Sequence, residues 1–182
     1  MDTMDTINIR RSIRNYTDEK IDENTLKEII NAGTVAPVAG DFHITVVQNI
    51  ELMERFNNVA KEFLKNSEDE NMKAMGENPD YNIFYGANTV VLFSAPDENP
   101  FGGLTTSLAA ENIILAATEL DIGSCYMLTP VVPFENGANE DLLKEFNLPE
   151  SFKLISAVTL GKIASDIELP PRSPLNNVNY IK

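Results

Sequence analysis

Apolar residues recur at three- and four-residue spacings in several segments of this chain, a periodicity that predicts amphipathic helices. One such stripe, formed by Leu26, Ile29 and Ile30, follows Asp22, whose side chain can cap the first turn of a helix. Gly33 marks the end of that helix. The predicted helices lie at residues 4–12, after Asp22, from about residue 51, at residues 104–120 and at residues 140–146.

Short runs rich in β-branched residues predict the strands. They lie at residues 43–47, 89–95, 124–127 and 154–163, of which 124–127 is a short strand or a loop. The run at 89–95 is the most apolar, so we expect it to be a central strand buried on both faces. No repeat or linker divides the chain, which predicts a single domain over residues 1–182.

Two segments fall outside this pattern. Residues 66–80 are polar and rich in acid and methionine, and we expect them to form a mobile acidic excursion. The tail at residues 169–182 has several prolines and asparagines and no core pattern of its own. Such a tail is either disordered or laid over another surface.

Composition narrows the classes of partner. The chain has 182 residues, 43% of them hydrophobic, and 28 acidic against 14 basic residues, for a formal charge of −14. This charge disfavours nucleic acid and anionic membrane surfaces. The sequence has no apolar run of membrane-spanning length, its start does not match a signal peptide, and Cys125 is its single cysteine. We therefore predict a cytoplasmic protein.

The five arginines are distributed unevenly. Arg10, Arg11 and Arg14 surround Ser12 near one end of the chain, and Arg172 lies near the other. If the segment that carries them were helical, Arg10, Arg11 and Arg14 would point to roughly one side. Two interpretations stay open at this point: a basic helix end that meets its own dipole and nearby acids, or a site for an anion such as a phosphate.

Self-contained catalytic chemistry is not evident in the sequence. No Gly-x-Gly-x-x-Gly or P-loop motif occurs, and one histidine and one cysteine give no metal-ligand spacing. Cys125 has no base placed beside it by the sequence, and His43 opens an apolar strand. We therefore predict no catalytic side chain and no metal site, and expect a cofactor to carry the chemistry of any enzyme built on this chain.

Several short motifs then follow one another in order. They are Arg10-Arg-Ser-Ile-Arg14 with Tyr16, Ala36-Pro-Val-Ala-Gly-Asp41, Ala109-Ala-Glu-Asn-Ile-Ile-Leu-Ala-Ala117, Asp121-Ile-Gly-Ser-Cys-Tyr126, Asn147-Leu-Pro-Glu150, Val158-Thr-Leu-Gly161 and Pro171-Arg172-Ser-Pro-Leu175. In this order, over nearly the whole chain, they resemble the motifs of the nitroreductase family of flavin mononucleotide (FMN) enzymes. The resemblance implies an α+β, three-layer fold with a mixed central sheet flanked by helices, in an intertwined homodimer whose tail at 169–182 covers the partner.

The resemblance also implies an FMN site at the subunit interface. Arg10, Ser12, Arg14 and Arg172 would hold the phosphate, with Arg11 contributing through its backbone or toward the ribityl chain. Pro37, Val38, Ala39 and Asp41 would line the pyrimidine side of the flavin, and Tyr126, Met127 and Leu128 would lie beside the isoalloxazine ring.

Three residues depart from the family pattern. Val38 replaces a serine, Asp41 replaces an asparagine, and His43 stands where a glutamine is often found. A carboxylate at position 41 can accept a hydrogen bond from flavin N3–H, but it opposes negative charge on the reduced ring. These changes bear on redox potential and substrate.

The implied activity is FMN-dependent oxidoreduction. Electrons would pass from NAD(P)H through flavin N5 to an electron-poor small molecule such as a nitroaromatic or a quinone. Two alternatives are a low-turnover flavin-binding or redox-sensing protein, and a non-flavin module that binds another phosphate.

Overall fold

The predicted strands form one sheet that carries helices on both faces. The computed structural model describes residues 2–164 and 175–182, apart from the side chains of residues 135–137, so Arg172 lies outside the described residues. The elements are, in chain order, α1 (Thr3–Ile9), α2 (Glu23–Thr34), β1 (His43–Val47), α3 (Ile50–Lys65), α4 (Glu70–Glu77), β2 (Thr89–Pro96), α5 (Gly102–Glu119), β3 (Gly123–Met127), a 3-10 helix (Val132–Gly137), α6 (Glu140–Glu145) and β4 (Phe152–Gly161).

The four strands lie in the order β1–β2–β4–β3, and each neighbouring pair is antiparallel. β2 is therefore an inner strand, and its residues from Thr89 to Ala95 are buried, which confirms the predicted central strand. The expected mixed sheet needs a correction: in the described residues its parallel component is a single bridge between Ser12 and Ser124. Strand direction depends on how the connections cross the sheet, and local residue patterns do not encode that.

Alternate residues of β2 point to opposite faces of the sheet and divide the core into two layers. Val90 and Leu92 pack with Phe56 of α3 on one face. Val91 and Phe93 pack with α2 and α5 on the other. Helices thus cover both faces, which confirms the predicted three-layer α+β fold. Across the described residues, no helix combines the length and apolar composition needed to cross a bilayer.

The first two helices differ in how well the sequence predicts them. Asp22 caps α2 as predicted, because its carboxylate accepts hydrogen bonds from the backbone N–H groups of Asn24 and Thr25. The first helix, in contrast, ends at Ile9 rather than at residue 12, and Arg10 leaves the helical region with ψ 132°. The residues after it pair with the sheet and need an extended backbone, so the three arginines do not share a helical face.

The segment at residues 66–80 contains a helix, α4. Asp69 caps it by accepting hydrogen bonds from the N–H groups of Asn71 and Met72. Gly76 lets α4 lie directly against the end of α3, since a Cβ at this position would meet the backbone of Leu64 and Lys65, 2.8 Å from the Leu64 carbonyl carbon.

We expect Gly76→Ala to destabilise the protein. Alanine is favoured over glycine inside a helix by about 1 kcal/mol, so any loss isolates the collision with α3. Overpacking of this kind lowers the free energy of unfolding by about 1–3 kcal/mol, measurable by urea denaturation. Lys73→Ala, at an exposed position of the same helix, is the matched control and should stay within about 0.5 kcal/mol of the wild type. An unchanged or higher stability of Gly76→Ala would contradict the close packing of α4.

Candidate functional site

The arginine segment, residues 10–14, is extended and runs beside β3. The Ile13 N–H donates a hydrogen bond to the Ser124 carbonyl over 2.8 Å, and Ser12 forms a parallel bridge with Ser124. Tyr16 forms an antiparallel bridge with Ile163, which continues the pairing along the end of β4. The sheet thereby carries the arginines to the edge that the predicted ring-binding residues of β3 occupy.

Tyr16 anchors this segment to the sheet. Its hydroxyl donates a hydrogen bond to the Ile13 carbonyl over 2.8 Å and lies 2.8 Å from Thr159 Oγ1. Its ring fits against Gly123 and Gly161, where a Cβ would lie 3.1 Å and 2.8 Å, respectively, from ring carbons. The sequence signals for this anchor are the tyrosine of the first motif and the two glycines, whose missing side chains make room for its ring.

The three arginines have different surroundings. Arg10 Nε lies 3.4 Å from Glu111 Oε1 of α5. Arg11 Nη1 donates hydrogen bonds to the Asn8 and Arg10 carbonyls over 2.8 and 2.9 Å, while its buried Nε has no hydrogen-bond partner. The exposed Arg14 places its guanidinium carbon 5.8 Å from the ring centre of Tyr85.

These contacts support a different interpretation for each part of the arginine cluster. Arg11 bonds the carbonyls at the end of α1, as a basic helix end does. Arg14 lies well beyond that helix and is exposed, which the helix-end interpretation does not explain. With Ser12, an orphaned Arg11 Nε and an exposed Arg14 guanidinium on one extended segment, the donor set fits an anion with several oxygens, such as the phosphate of FMN.

The predicted ring-binding residues at the end of β3 alternate in direction. The side chains of Tyr126 and Leu128 are exposed, and the Tyr126 hydroxyl lies 3.5 Å from Ser107 Oγ of α5. Met127 instead packs in the core layer of α3. A flavin ring at this edge could therefore meet the side chains of Tyr126 and Leu128 but only the backbone of Met127, because a strand turns consecutive side chains to opposite faces.

The loop that carries the predicted pyrimidine contacts lies at the start of α5. Pro37, Val38, Ala39 and Asp41 are all exposed. The backbone of Ala39 is bonded to Thr105 of α5, whose Oγ1 accepts from the Ala39 N–H over 3.1 Å. His43 is half-buried at the beginning of β1.

α5 joins these parts of the chain. Thr105 contacts the loop, Ser107 meets β3 through Tyr126, and Glu111 pairs with Arg10. In the described residues, the arginine segment and the loop are thus connected within one chain through α5. The sequence does not indicate this role of α5, since the residues it joins lie 19 to about 100 positions away along the chain.

The described residues give this region neither a reactive thiolate nor a cluster of metal ligands. Cys125 is buried, and burial raises the pKa of its thiol, which disfavours the thiolate nucleophile. Among the described histidine, cysteine, aspartate and glutamate residues, no group of three or more could hold a metal ion.

An open groove of about 1220 Å³ lies elsewhere on the chain. It runs between the ends of β2 and β4 and α6, and Asp97, Phe134, Lys144 and Lys153 are among its lining residues. The predicted FMN-binding residues that the structure describes do not line it. We therefore place the candidate site at the β3 edge and not in this groove.

Comparison with known proteins places this arrangement in a family. The model of the nitroreductase family matches residues 7–162, a range that holds the arginine segment, the loop and β3. The chain belongs to the nitroreductase family. A relative in Methanothermobacter thermautotrophicus, named "Putative NADH dehydrogenase/NAD(P)H nitroreductase", is 30% identical over 165 residues, which cover 88% of this chain and 77% of the relative. A relative of the same name in Archaeoglobus fulgidus is 30% identical over 161 residues, covering 84% and 80% of the two chains.

Solved structures of nitroreductases share the whole fold. A Bacteroides fragilis nitroreductase with bound FMN superimposes with a TM-score of 0.91 at 28% identity, covering 100% of this chain and 98% of its own. A Desulfitobacterium hafniense nitroreductase with bound FMN gives a TM-score of 0.90 at 24% identity, with both chains fully covered. The nitroreductase fold implied by the sequence motifs is thereby confirmed.

We expect Tyr16→Phe to loosen the arginine segment of this nitroreductase. The change removes a buried hydroxyl and leaves the Ile13 carbonyl and Thr159 each short of a partner, which should lower the free energy of unfolding by about 1–3 kcal/mol. Tyr126→Phe, at an exposed tyrosine of the same sheet edge, is the control. Equal stabilities of the two variants in urea denaturation would argue against the anchor.

The same tyrosine predicts a pH dependence. Burial raises the pKa of Tyr16 above its ordinary value, so the folded protein keeps this proton to higher pH than the unfolded chain does. The contribution of Tyr16 to the free energy of unfolding should therefore stay constant below about pH 10. Above about pH 10 the free energy of unfolding should fall as the pH rises. Tyr16→Phe should show a shallower fall over that range, since Tyr81, whose pKa burial raises to about 12, still contributes.

Proposed function

We propose that this protein is an FMN-dependent oxidoreductase that passes electrons from NAD(P)H to an electron-poor small molecule. The observation that carries the proposal is the pairing of the arginine segment with β3, the strand that holds Tyr126, in a chain of the nitroreductase family. FMN bound in the B. fragilis and D. hafniense nitroreductases supports the choice of cofactor. The names of the M. thermautotrophicus and A. fulgidus relatives support NAD(P)H as electron donor.

The residues of this chain would bind and orient the cofactor. Arg10, Ser12 and Arg14 would hold the phosphate, and Arg11 would add its unpartnered Nε or its backbone. Arg172 would complete this set, although it lies outside the described residues. Guanidinium groups suit this role because their planar donors match phosphate oxygens.

The ring would lie over the exposed side chains at the end of β3, with the loop at its pyrimidine edge. Tyr126 and Leu128 would pack against it, and the loop at residues 37–41 would place Val38 and Asp41 along its edge. When bound, FMN supplies the two-electron chemistry, and we assign no side chain as an obligatory acid or base. The acidic Asp41 would disfavour extra negative charge on the ring, which lowers the potential relative to an amide at that position.

The protein would work as a homodimer built on α5. Leu104 and Leu108 of this helix are 66% and 49% exposed and lie one turn apart, near Ser107, whose Oγ lies 3.5 Å from the Tyr126 hydroxyl. In the tail, Tyr180 and Ile181 are 85% and 98% exposed on a single chain. Large apolar side chains exposed in this way are typical of an interface with another subunit, and the tail would cover the partner as the family resemblance implies.

The location we propose is the cytoplasm. Its support is the single cysteine, Cys125, which is buried and free, as expected for a protein of a reducing compartment.

The function is tested by the absorbance spectrum of the purified protein, before and after NADH or NADPH is added without oxygen. We expect flavin bands that bleach on addition of one of the two donors and return with a nitroaromatic or quinone acceptor. Flavin bands that neither donor bleaches would favour a low-turnover flavin-binding protein. A colourless protein that does not bind added FMN would overturn the proposal and favour another phosphate ligand.

Arg14→Ala should weaken FMN binding. Loss of hydrogen bonds to a charged group costs roughly 1.5–3 kcal/mol, which is about a 10- to 150-fold rise in the dissociation constant measured by quenching of FMN fluorescence. Arg55→Ala is the matched control, because Arg55 lies on α3 and pairs with Glu145. If both variants bind FMN like the wild type, Arg14 does not contact the phosphate. We expect a similar loss for Arg172→Ala.

Leu108→Glu should shift the protein from dimer to monomer. A carboxylate at the centre of the proposed interface would be buried without a partner, which strongly disfavours association. Sedimentation velocity measures the outcome. Phe63→Glu, at a similarly exposed position of α3 on the opposite face of the sheet, should remain dimeric. A dimeric Leu108→Glu protein would place the interface elsewhere.

A further inference from the structure

The exposed loop at residues 37–41 is held to α5 and to the turn before this helix through both backbone groups of one residue, Ala39. The Ala39 N–H donates to Thr105 Oγ1 over 3.1 Å. The Ala39 carbonyl accepts from Asn99 Nδ2 over 3.1 Å, and Thr105 Oγ1 lies 3.5 Å from the same carbonyl. We call these two side chains, together with Ala39, the Asn99–Thr105 clasp.

Thr105 behaves differently from the other hydroxyl residues of α5. Serine and threonine inside a helix commonly bond back to a carbonyl one turn earlier. Thr106 does this toward the Gly102 carbonyl over 2.8 Å, Ser107 toward Gly103 over 2.7 Å and Thr118 toward Ile114 over 2.8 Å. Thr105, only 2% exposed, bonds instead to the loop 66 residues away.

Asn99 joins the loop to the beginning of the same helix. Its Oδ1 accepts from the Phe101 N–H over 2.9 Å, just before α5 begins, while its Nδ2 donates to the loop. The amide also packs on Gly40, which has φ +90° and where a Cβ would lie 2.8 Å from Nδ2. Position 40 therefore needs glycine for its backbone conformation and for the approach of Asn99.

The clasp determines which part of the loop can face a ligand. Both backbone groups of Ala39 are bonded to the protein, so polar contacts to a bound molecule fall to other residues of the loop, Val38 before it and Asp41 after Gly40. Contacts to a reactive ring depend on placement within about 0.5 Å, and residues that lock a loop supply that precision.

We propose that Asn99 and Thr105 are positioning residues, which hold the loop at residues 37–41 in place against the pyrimidine edge of the flavin. This rests on the proposed function. Because α5 also carries Leu104 and Leu108, the clasp links the loop to the helix of the proposed subunit interface. Neither side chain touches the flavin on this proposal; both act through Ala39.

The test compares Thr105→Val with Thr105→Ser and with Thr106→Val, the same substitution one residue along α5. The first readout is the rate of backbone hydrogen exchange at residues 38–41 in FMN-free protein. The second is the FMN dissociation constant with the visible spectrum of the bound flavin. Urea denaturation of all variants separates both readouts from global stability.

We expect Thr105→Val to accelerate exchange at residue 39 at least about tenfold, to raise the FMN dissociation constant about tenfold, and to shift the flavin spectrum, in line with the loss of one or two hydrogen bonds. Thr105→Ser should restore all three quantities, and Thr106→Val should leave them unchanged. Gly40→Ala, whose Cβ would displace the Asn99 amide, should change all three quantities in the same direction as Thr105→Val. It replaces Thr105→Val in the test if that variant does not fold.

Three results would overturn the proposal in distinguishable ways. Exchange in Thr105→Val equal to that in Thr106→Val shows that the clasp does not hold the loop. Faster exchange with unchanged FMN affinity and spectrum shows that the clasp holds the loop without positioning the flavin. A wild-type protein that binds no FMN removes the proposed function and the flavin role together, while the exchange rates still decide whether the clasp exists.

Discussion

The burial of α5 between the sheet and α2 is the interaction on which the rest of the structure depends. A helix that is apolar nearly all round must be covered on more than one side. β2 and β4 cover one side, and α2 covers another, with Gly33 admitting Ile113 so closely that a Cβ would lie 2.7 Å from its Cδ1. The Asn112 amide then donates to the Ala32 carbonyl over 3.1 Å, which fixes the position of α5 along α2. The side that remains open carries Leu104 and Leu108.

Each part of the candidate site contacts this helix. Its polar residues reach outward to three separate segments: Thr105 to the loop, Ser107 to Tyr126 and Glu111 to Arg10. Glu111 also has an electrostatic role, since a carboxylate next to Arg10 offsets part of the repulsion among clustered cations. Three arginines thus lie within five residues of a chain whose formal charge is −14.

Prediction from the sequence succeeded where the physics is local and failed where it is not. Asp22 caps α2 through bonds to residues two and three positions away, so its role is visible in the sequence. The end of α1 is not, because Ile13 stops the helix by pairing with Ser124, 111 positions further on. Met127 illustrates an intermediate case: the motif places it beside the ring, and only the two-residue period of the strand turns its side chain into the core. Asn99 and Thr105 gave no local signal beyond the glycine at position 40.

Residue patterns alone predicted most of the helices and strands, and the ordered motifs indicated the three-layer α+β class and the nitroreductase family, because helix caps, apolar spacing and motifs are properties of neighbouring residues. The sequence also identified the arginine segment, though not what the segment does. Only the folded chain shows that the segment is extended, that it lies along β3, and that the loop is bonded to α5. Those outcomes depend on contacts between residues many tens of positions apart. Packing of the whole chain brings these residues together, and no local residue pattern predicts which of them will meet.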